Sequence, residues 1–584
     1  MNVQDKIKNS LINLRKSIQR FPITILASTV LAILLIYQRE VFSRLTGEEQ
    51  ETLIRISMVV GLGMILSLAI GLLLERFPKG IGVKVGSYIL GFAFLIFYYF
   101  MLLKDINMVS ATRYFATVIF LIIAAFYVLK LKHDINYEIF VIKVFFAIFL
   151  TLLYCGVLFG GVVAILRTID GLFDINIDEK YYFYTFLIVG FIFGASMFLS
   201  KVPERDEDFL DYNYPRSLKV LLAYIVIPLI SIYTLILYVY FIKILVQWEW
   251  PKGLVSHLVI WYSAVSVGVI FLVTPVLEEN KFAKAFRTIF PIANLPILLM
   301  MYMSIYQRIA QYGITENRYY IVLFGLWITA MMLYFILKRQ LKNIIIPISL
   351  SIIVLVSVYG PISSYSISKL SQNNRINKIL SDNGMLENGN IISNPNLSLN
   401  DQREISNVIN YFMYSHSLED LKVLPEDFEI TEMEDTFGFK YRDYVAGGGN
   451  STYFGYYIET FQQSIDITGY EYYLMMSSWN NATVKAGNLD VKFDNSSKSI
   501  LVSEDNLDLI SIDVNELALG IHDKKNIQIE EFKSGEKLED MTFMRENENI
   551  RLKIIFTSIN GNIDVSTGEA VVESADYILL IDVK

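Results

Sequence analysis

Few residues in this chain of 584 are placed to do chemistry. The four histidines (His133, His257, His416 and His522) are scattered. With one cysteine, Cys155, neither an internal disulfide nor a thiolate metal cage can form. No His-Glu-x-x-His, Walker A or Gly-x-Ser-x-Gly motif is present, which argues against a recognised soluble-enzyme site and implies no metal and no cofactor. Gly447-Gly448-Gly449-Asn450 lacks the Lys-Ser/Thr and helix start of a phosphate loop and reads as a plain turn.

Ionisable residues in or beside long apolar runs are where function is expected in such a chain. Lys243, His257 and Arg308 lie near run ends, beside the loops Trp248-Glu249-Trp250-Pro251-Lys252-Gly253 and Tyr312-Gly313-Ile314-Thr315-Glu316-Asn317-Arg318-Tyr319. On a functional reading, Lys243, Trp250, His257, Arg308, Tyr312, Glu316 and Arg318 form a charged, aromatic-walled recess suited to a headgroup or an anionic solute. A structural reading explains much of the same sequence. Gly313 ends one helix in a left-handed cap, Thr315 caps the next, and Glu316 sits in its first turn at the positive dipole end. Trp248 and Trp250 suit an interfacial aromatic belt. Lys143, one turn into a run, has a stem long enough to snorkel.

The elements that carry these residues follow from composition. With 54% hydrophobic and 18% charged residues, the chain is too apolar for a soluble protein, so its excess must face lipid. A helix crossing about 30 Å of hydrocarbon needs roughly 20 apolar residues. Eleven runs qualify: 21–37, 56–74, 85–103, 114–131, 140–166, 183–199, 220–245, 254–277, 290–309, 320–337 and 344–359. The first has a basic leader but no small-residue cleavage motif, and reads as a retained span. The ninth carries Pro291, Asn294 and Pro296; were it re-entrant, everything after it would change sides. Gly156 to Gly160 and Gly190 to Gly194 have helix-packing spacing, and Pro228, Pro275, Pro291, Pro296 and Pro347 interrupt later spans.

Residues 1–360 hold 32 basic and 22 acidic residues, and 361–584 hold 18 and 36, giving +10 and −18. The N-terminus and even-numbered loops hold 20 basic residues against 11 in the odd-numbered loops, which predicts a cytoplasmic N-terminus. An odd number of spans then puts the tail outside. The predicted fold is an α-helical polytopic membrane domain of about 11 transmembrane helices followed by an α+β, β-rich extracytoplasmic domain. Its parts are a cytoplasmic segment 1–20, the transmembrane domain 21–359, an amphipathic helix (366–380) and polar linker (386–400) within 360–400, and the outer domain 401–584. In that domain, 401–415 reads as a helix capped by Asn400. Strands follow from 453 onward, with Asn560-Gly561-Asn562 as a turn. The acidic tail disfavours nucleic acid and anionic lipid and favours cations or basic partners.

The stretches 233–240, Trp250-Pro251-Lys252-Gly253 and 308–319 resemble signature stretches of bacterial multi-pass membrane proteins catalogued as domain-of-unknown-function 4153. The resemblance extends to the tail with its Asp466 to Tyr470 turn. It implies a bacterial cytoplasmic membrane location and carries no activity with it.

Three functions fit these features. Envelope transport or lipid handling is favoured by many spans, interior prolines and the charged rim, although no span holds a mid-membrane Asp or Glu. A sensor or scaffold would use the acidic outer domain to bind a ligand or an envelope partner protein. A glycosyltransferase using a lipid-linked sugar would need an acidic pair in the first outer loop, where Glu48, Glu49 and Glu51 are all that is offered.

Overall fold

The computed structural model describes all residues except 1–14, 78–79, 133–134, 206, 208, 210–212, 248–253, 442–450, 459–463, 480–481, 506, 525–533 and 565–569. Among the described residues, ten helices are long and apolar enough to cross a membrane. They are α1 (Pro22–Arg44), α2 (Gly47–Arg76), α3 (Ile81–Leu102), α4 (Met108–Lys130), α5 (Tyr137–Phe173), α6 (Glu179–Lys201), α7 (Arg216–Gln247), α8 (Ser256–Val276), α9 (Lys281–Tyr312) and α10 (Glu316–Leu337). A shorter apolar helix, α11 (Ile345–Val358), and α12 (Ser364–Asp382) follow. Despite Pro291 and Pro296, α9 is one continuous helix of 32 residues, not a re-entrant hairpin.

Polar contacts sort the loops into two sets at opposite ends of the bundle. At one end, Arg20 before α1 grips the Glu75 carboxylate of α2 through Nε and Nη2, both at 2.9 Å. There too Lys219 of α7 pairs with Glu279 beyond α8 (2.7 Å), and Arg287 of α9 donates to the Lys338 carbonyl after α10 (2.7 Å). Asn343, before α11, donates to Glu138 of α5 and Thr274 of α8. At the other end, Lys180 of α6 meets Glu40 of α1 (3.0 Å) and Glu51 of α2 accepts from the Ile106 amide (2.9 Å). Arg113 of α4 donates there to the Val358 carbonyl closing α11 (3.2 Å), and Tyr320 of α10 bonds Ser364 (3.0 Å).

Helix α11 therefore runs from the Arg20 end to the Gly313 end, antiparallel to its neighbours α4 and α10. Its 14 residues make about 21 Å of helix, less than the ~30 Å hydrocarbon layer. The turn at Asn343 and Ile344 and the extended Tyr359 (φ −118°, ψ 146°) lengthen the segment at its two ends. The chain is a multi-pass membrane protein.

Two glycine pairs fare differently. A Cβ at Gly156 or Gly160 would meet nothing within 4 Å, so the first pair packs against no helix among the described residues. Gly194 is needed, because a Cβ there would come within 2.9 Å of Cys155 Sγ.

The chain divides into two compact units, Met1–Gln372 and Asn373–Lys584. The second begins within α12 and continues into a hairpin, β1 (Leu386–Glu387) and β2 (Asn390–Ile391), inside the stretch read as a linker. Its turn, Asn388 (φ 53°) and Gly389 (φ 86°), is the Asn-Gly pair that two-residue hairpins select. Helix α13 (Leu399–Ser415) is capped by Ser398, whose hydroxyl accepts from the Asp401 amide (3.1 Å), so the cap lies two residues before Asn400. Its Ile405, Val408, Ile409 and Phe412 are fully buried against Ile376 and Leu380.

Ten further strands make two sheets: β3 (Ser451–Ile458), β4 (Tyr472–Ser477), β5 (Val484–Ala486), β6 (Leu489–Asp494), β7 (Ser499–Glu504), β8 (Leu507–Asp513), β9 (Ser534–Glu536), β10 (Thr542–Glu546), β11 (Ile550–Asp564) and β12 (Ala570–Val583). One sheet is the antiparallel meander β5-β6-β7-β8. The other runs β4-β12-β11-β3-β9, with β10 also on β11. Asn560-Gly561-Asn562 is not a turn but part of β11, at a register shift against β12. A Cβ on Gly561 would sit 2.3 Å from the Val571 carbonyl oxygen, so glycine is there for close strand approach.

Candidate functional site

The loop joining α9 to α10 is fastened from three sides. Gly313 ends α9 at φ 70°, and a Cβ there would lie 2.8 Å from Gln372 Nε2 and 3.2 Å from Ser371 Oγ of α12. Gln372 Nε2 donates to the carbonyls of Tyr312 and Ile314, each at 3.0 Å, while Ser371 Oγ accepts from the Ile314 amide at 2.8 Å. Arg318, one turn into α10, reaches back to the carbonyls of Tyr312 (3.2 Å) and Gly313 (2.7 Å), and its guanidinium lies over the Tyr312 ring. A positive charge thus meets the negative end of the α9 dipole and satisfies carbonyls the helix leaves open.

Of the residues singled out in the sequence, the structure brings Arg308, Tyr312 and Arg318 together. Arg308 is half-buried within electrostatic reach of Arg318. Glu316 is buried in the first turn of α10, in electrostatic contact with Tyr365 of α12. Thr315 occupies the N-cap position without a side-chain cap bond. Lys243 and His257 are exposed and make no hydrogen bond or ion pair among the described residues. Trp250, with Trp248, Lys252 and the Gly447 to Asn450 turn, lies outside the described residues. Gln372 and Ser371 were missed because they stand about 60 residues from the loop they hold.

A second feature lies inside the bundle. The Asn294 side chain, fully buried between Pro291 and Pro296 of α9, exchanges hydrogen bonds with Ser263 of α8 at 3.1 and 3.0 Å. Tyr238 of α7 donates to the Ala293 carbonyl at 2.7 Å, and the hydroxyls of Tyr262 and Thr234 bond each other at 2.5 Å. Ser256 of α8 and Ser304 of α9 are buried without a hydrogen-bond partner among the described residues, on the Gly313 side of Asn294. A polar seam therefore runs between α7, α8 and α9. The proline pair flagged it in the sequence; the serines on α8 gave no distinguishing signal.

The Arg20 end is held by the loop after α6. Arg20 also donates to the carbonyls of Val202 (2.6 Å) and Pro203 (2.9 Å), and the Arg205 amide donates to Glu75 (3.2 Å). Lys143 pairs with Glu207 of that loop at 2.6 Å and lies over Phe209. Two of the three acids of the first loop are otherwise engaged: Glu49 completes a capping box with Thr46, and Glu51 holds Ile106. Among the described residues, no group of three His, Cys, Asp or Glu side chains could hold a metal ion.

The family model described as a domain of unknown function, number 4153, matches residues 23–391. The chain belongs to this family. The match covers all eleven helices and the α9–α10 loop and stops short of the Asp466 to Tyr470 turn. An uncharacterized protein of Pasteurella multocida (strain Pm70) is 25% identical over 242 residues, 41% of this chain. The alignment spans 41% of that relative's own length. No solved structure matches.

Proposed function

We propose that this family member is an envelope transporter that carries an amphipathic, lipid-type cargo along the seam between α7, α8 and α9. The observation behind the reading is Asn294, an uncharged amide at full burial that spends one of its two N–H groups on Ser263. A polar side chain in the middle of a span is costly, and such residues mark substrate pathways in membrane proteins. Prolines on either side deprive the Arg287 and Ile292 carbonyls of their usual i+4 amide donors, as in the interrupted helices that line transport sites. Ser256 and Ser304 extend the seam toward His257 and Arg308 at the rim.

In this reading the Arg20 end is cytoplasmic, because it gathers Arg20, Arg76, Lys130, Lys143, Lys219 and Arg287, and the C-terminal domain is extracytoplasmic. The location is a bacterial cytoplasmic membrane. The test is reconstitution into phosphatidylethanolamine–phosphatidylglycerol vesicles carrying fluorescent NBD-labelled phosphatidylethanolamine, with dithionite added outside. Quenching is expected to pass beyond the outer-leaflet share, and Asn294→Leu to slow it about tenfold, the loss of one hydrogen-bonding group worth ~1.4 kcal/mol. Quenching that stops at the outer-leaflet share with wild-type protein removes the reading.

A scaffold reading draws on the C-terminal unit. Strand β4 is a sheet edge whose outward Tyr473 and Met475 are exposed, with Trp479 just beyond it 81% exposed. An exposed edge of this kind accepts a partner strand. A photo-crosslinker placed at Met475 that traps no protein in intact cells removes this alternative.

A further inference from the structure

We propose that a cavity at the Arg20 end binds the anionic phosphodiester headgroup of a membrane phospholipid. The cavity, about 420 Å³, is bounded by Lys16, Arg20, Lys201, Glu204 and Glu207 together with the backbone after α6. It lies at the end of the bundle remote from Ser256 and Ser304, and stands whether or not the seam carries cargo.

Charge bookkeeping selects the ligand. Arg20 is spent on structure, since its nitrogens hold Glu75 and the carbonyls of Val202 and Pro203. Glu207 is neutralised by Lys143 at 2.6 Å. What remains is Lys16 and Lys201, neither with a hydrogen bond or ion pair among the described residues, against the carboxylate of Glu204. Among the described lining residues the balance is a single positive charge, which matches the single negative charge of a phosphodiester better than the nearly doubly charged phosphate monoester. A second cavity, at the opposite end, has Glu48 and Glu49 as the charged groups of its described lining and has no such preference.

Position separates a lipid from a soluble phosphate ester. Lys201 is the last residue of α6 and Arg20 stands two residues before α1, so the cavity is at the level where hydrocarbon gives way to headgroups. One turn beyond Arg20 an exposed apolar stripe begins on α1: Ile23, Leu26, Val30 and Ile33, at the three- and four-residue spacing of one helix face. A lipid whose headgroup occupies the cavity has its acyl chains laid along that stripe.

The test titrates phosphatidylglycerol into the full-length protein in detergent and follows the melting midpoint, with phosphatidylcholine, inorganic phosphate and glycerol 3-phosphate in parallel. Phosphatidylglycerol is expected to raise the midpoint and the other three to leave it unchanged. Lys16→Gln/Lys201→Gln is expected to need about thirtyfold more lipid, from roughly fivefold per lysine near a headgroup, whereas Lys281→Gln at the same end needs no more. The single variants keep the test open should the double variant not fold. A lysine-dependent response to glycerol 3-phosphate alone would keep the phosphate chemistry but assign a soluble source, overturning the lipid. An equal phosphatidylglycerol response in the double variant and wild type, or an equal response to phosphatidylcholine, overturns the site.

Discussion

Helices α3 and α8 are almost equally apolar, yet 6% of the central residues of α3 are buried in the protein against 61% of those of α8. The longer α5 resembles α3, also at 6%, and α9 resembles α8, at 50%. Hydropathy therefore finds spans but does not say which of them face lipid. What separates the two pairs is how they use small and polar residues. Helices α8 and α9 spend Ser263, Ser266 and Asn294 on buried hydrogen bonds, while the glycines of α5 at 156, 160 and 161 look onto open space. Between helices in lipid, tight packing and hydrogen bonds replace the hydrophobic drive that works in water.

Matched substitutions test that contrast. The largest expected effect is Phe290→Ala in α9, where the ring is 4% exposed, stacks on Phe286 at 4.7 Å and meets Tyr262 at 5.7 Å. Truncation should cost about 3 kcal/mol, read as a fall in melting midpoint in detergent. Its partner, Phe149→Ala in α5, 62% exposed, should cost less than about 0.5 kcal/mol. Equal shifts for the two would mean that α5 packs against something in the solubilised protein. Next, Gly325→Val in α10 drives a Cβ to 2.7 Å from Met301 Cε, and should cost roughly 1–3 kcal/mol through overpacking. Gly160→Val should leave the same melting curve unmoved.

At the Gly313 end, Gln372→Leu removes the donor to two loop carbonyls. A loss of about 1–2 kcal/mol is expected, together with faster protease cleavage between residues 313 and 316. Unchanged cleavage would show that Arg318 and Ser371 hold the loop without it. The smallest effect is expected where water replaces lipid. In the C-terminal unit the half-buried Asp494 accepts from the Ser496 hydroxyl (2.6 Å) and amide (2.9 Å), which brings its carboxyl down to about 2. Because this value is depressed, the contribution is fully present above the ordinary aspartate value of about 3.9 and is lost as pH falls through about 2. Asp494→Asn should therefore lower stability slightly at pH 7, flatten the acid limb of unfolding between those values, and leave stability below about pH 2 unchanged.

The sequence was most legible where one chemical property decides the outcome. Long apolar runs became helices, and Gly313 ended α9 as its freedom at positive φ allows. It was less legible where a partner is distant in the chain. The polar groups of the α9–α10 loop could be read as a binding recess as well as a fastening until Gln372 and Ser371 came into place beside them. Asn560-Gly561-Asn562 has the composition of a turn, but the demand it answers is the close passage of β12. Run lengths also understate helices: α5 extends to Phe173, beyond the apolar run ending at 166, because Asp170 and Arg167 pair within it and Asp170 also accepts from the Ile177 amide.

The short α11 bears on how the chain is made. A 14-residue segment is a poor signal for insertion during synthesis, when each hydrophobic stretch is judged by its own length. Its anchors, Glu138 and Thr274 at one end and Arg113 at the other, belong to helices synthesised earlier. The last crossing is thus completed by the assembled bundle rather than by the nascent segment alone. Everything after residue 359 follows the shortest apolar helix among the described residues.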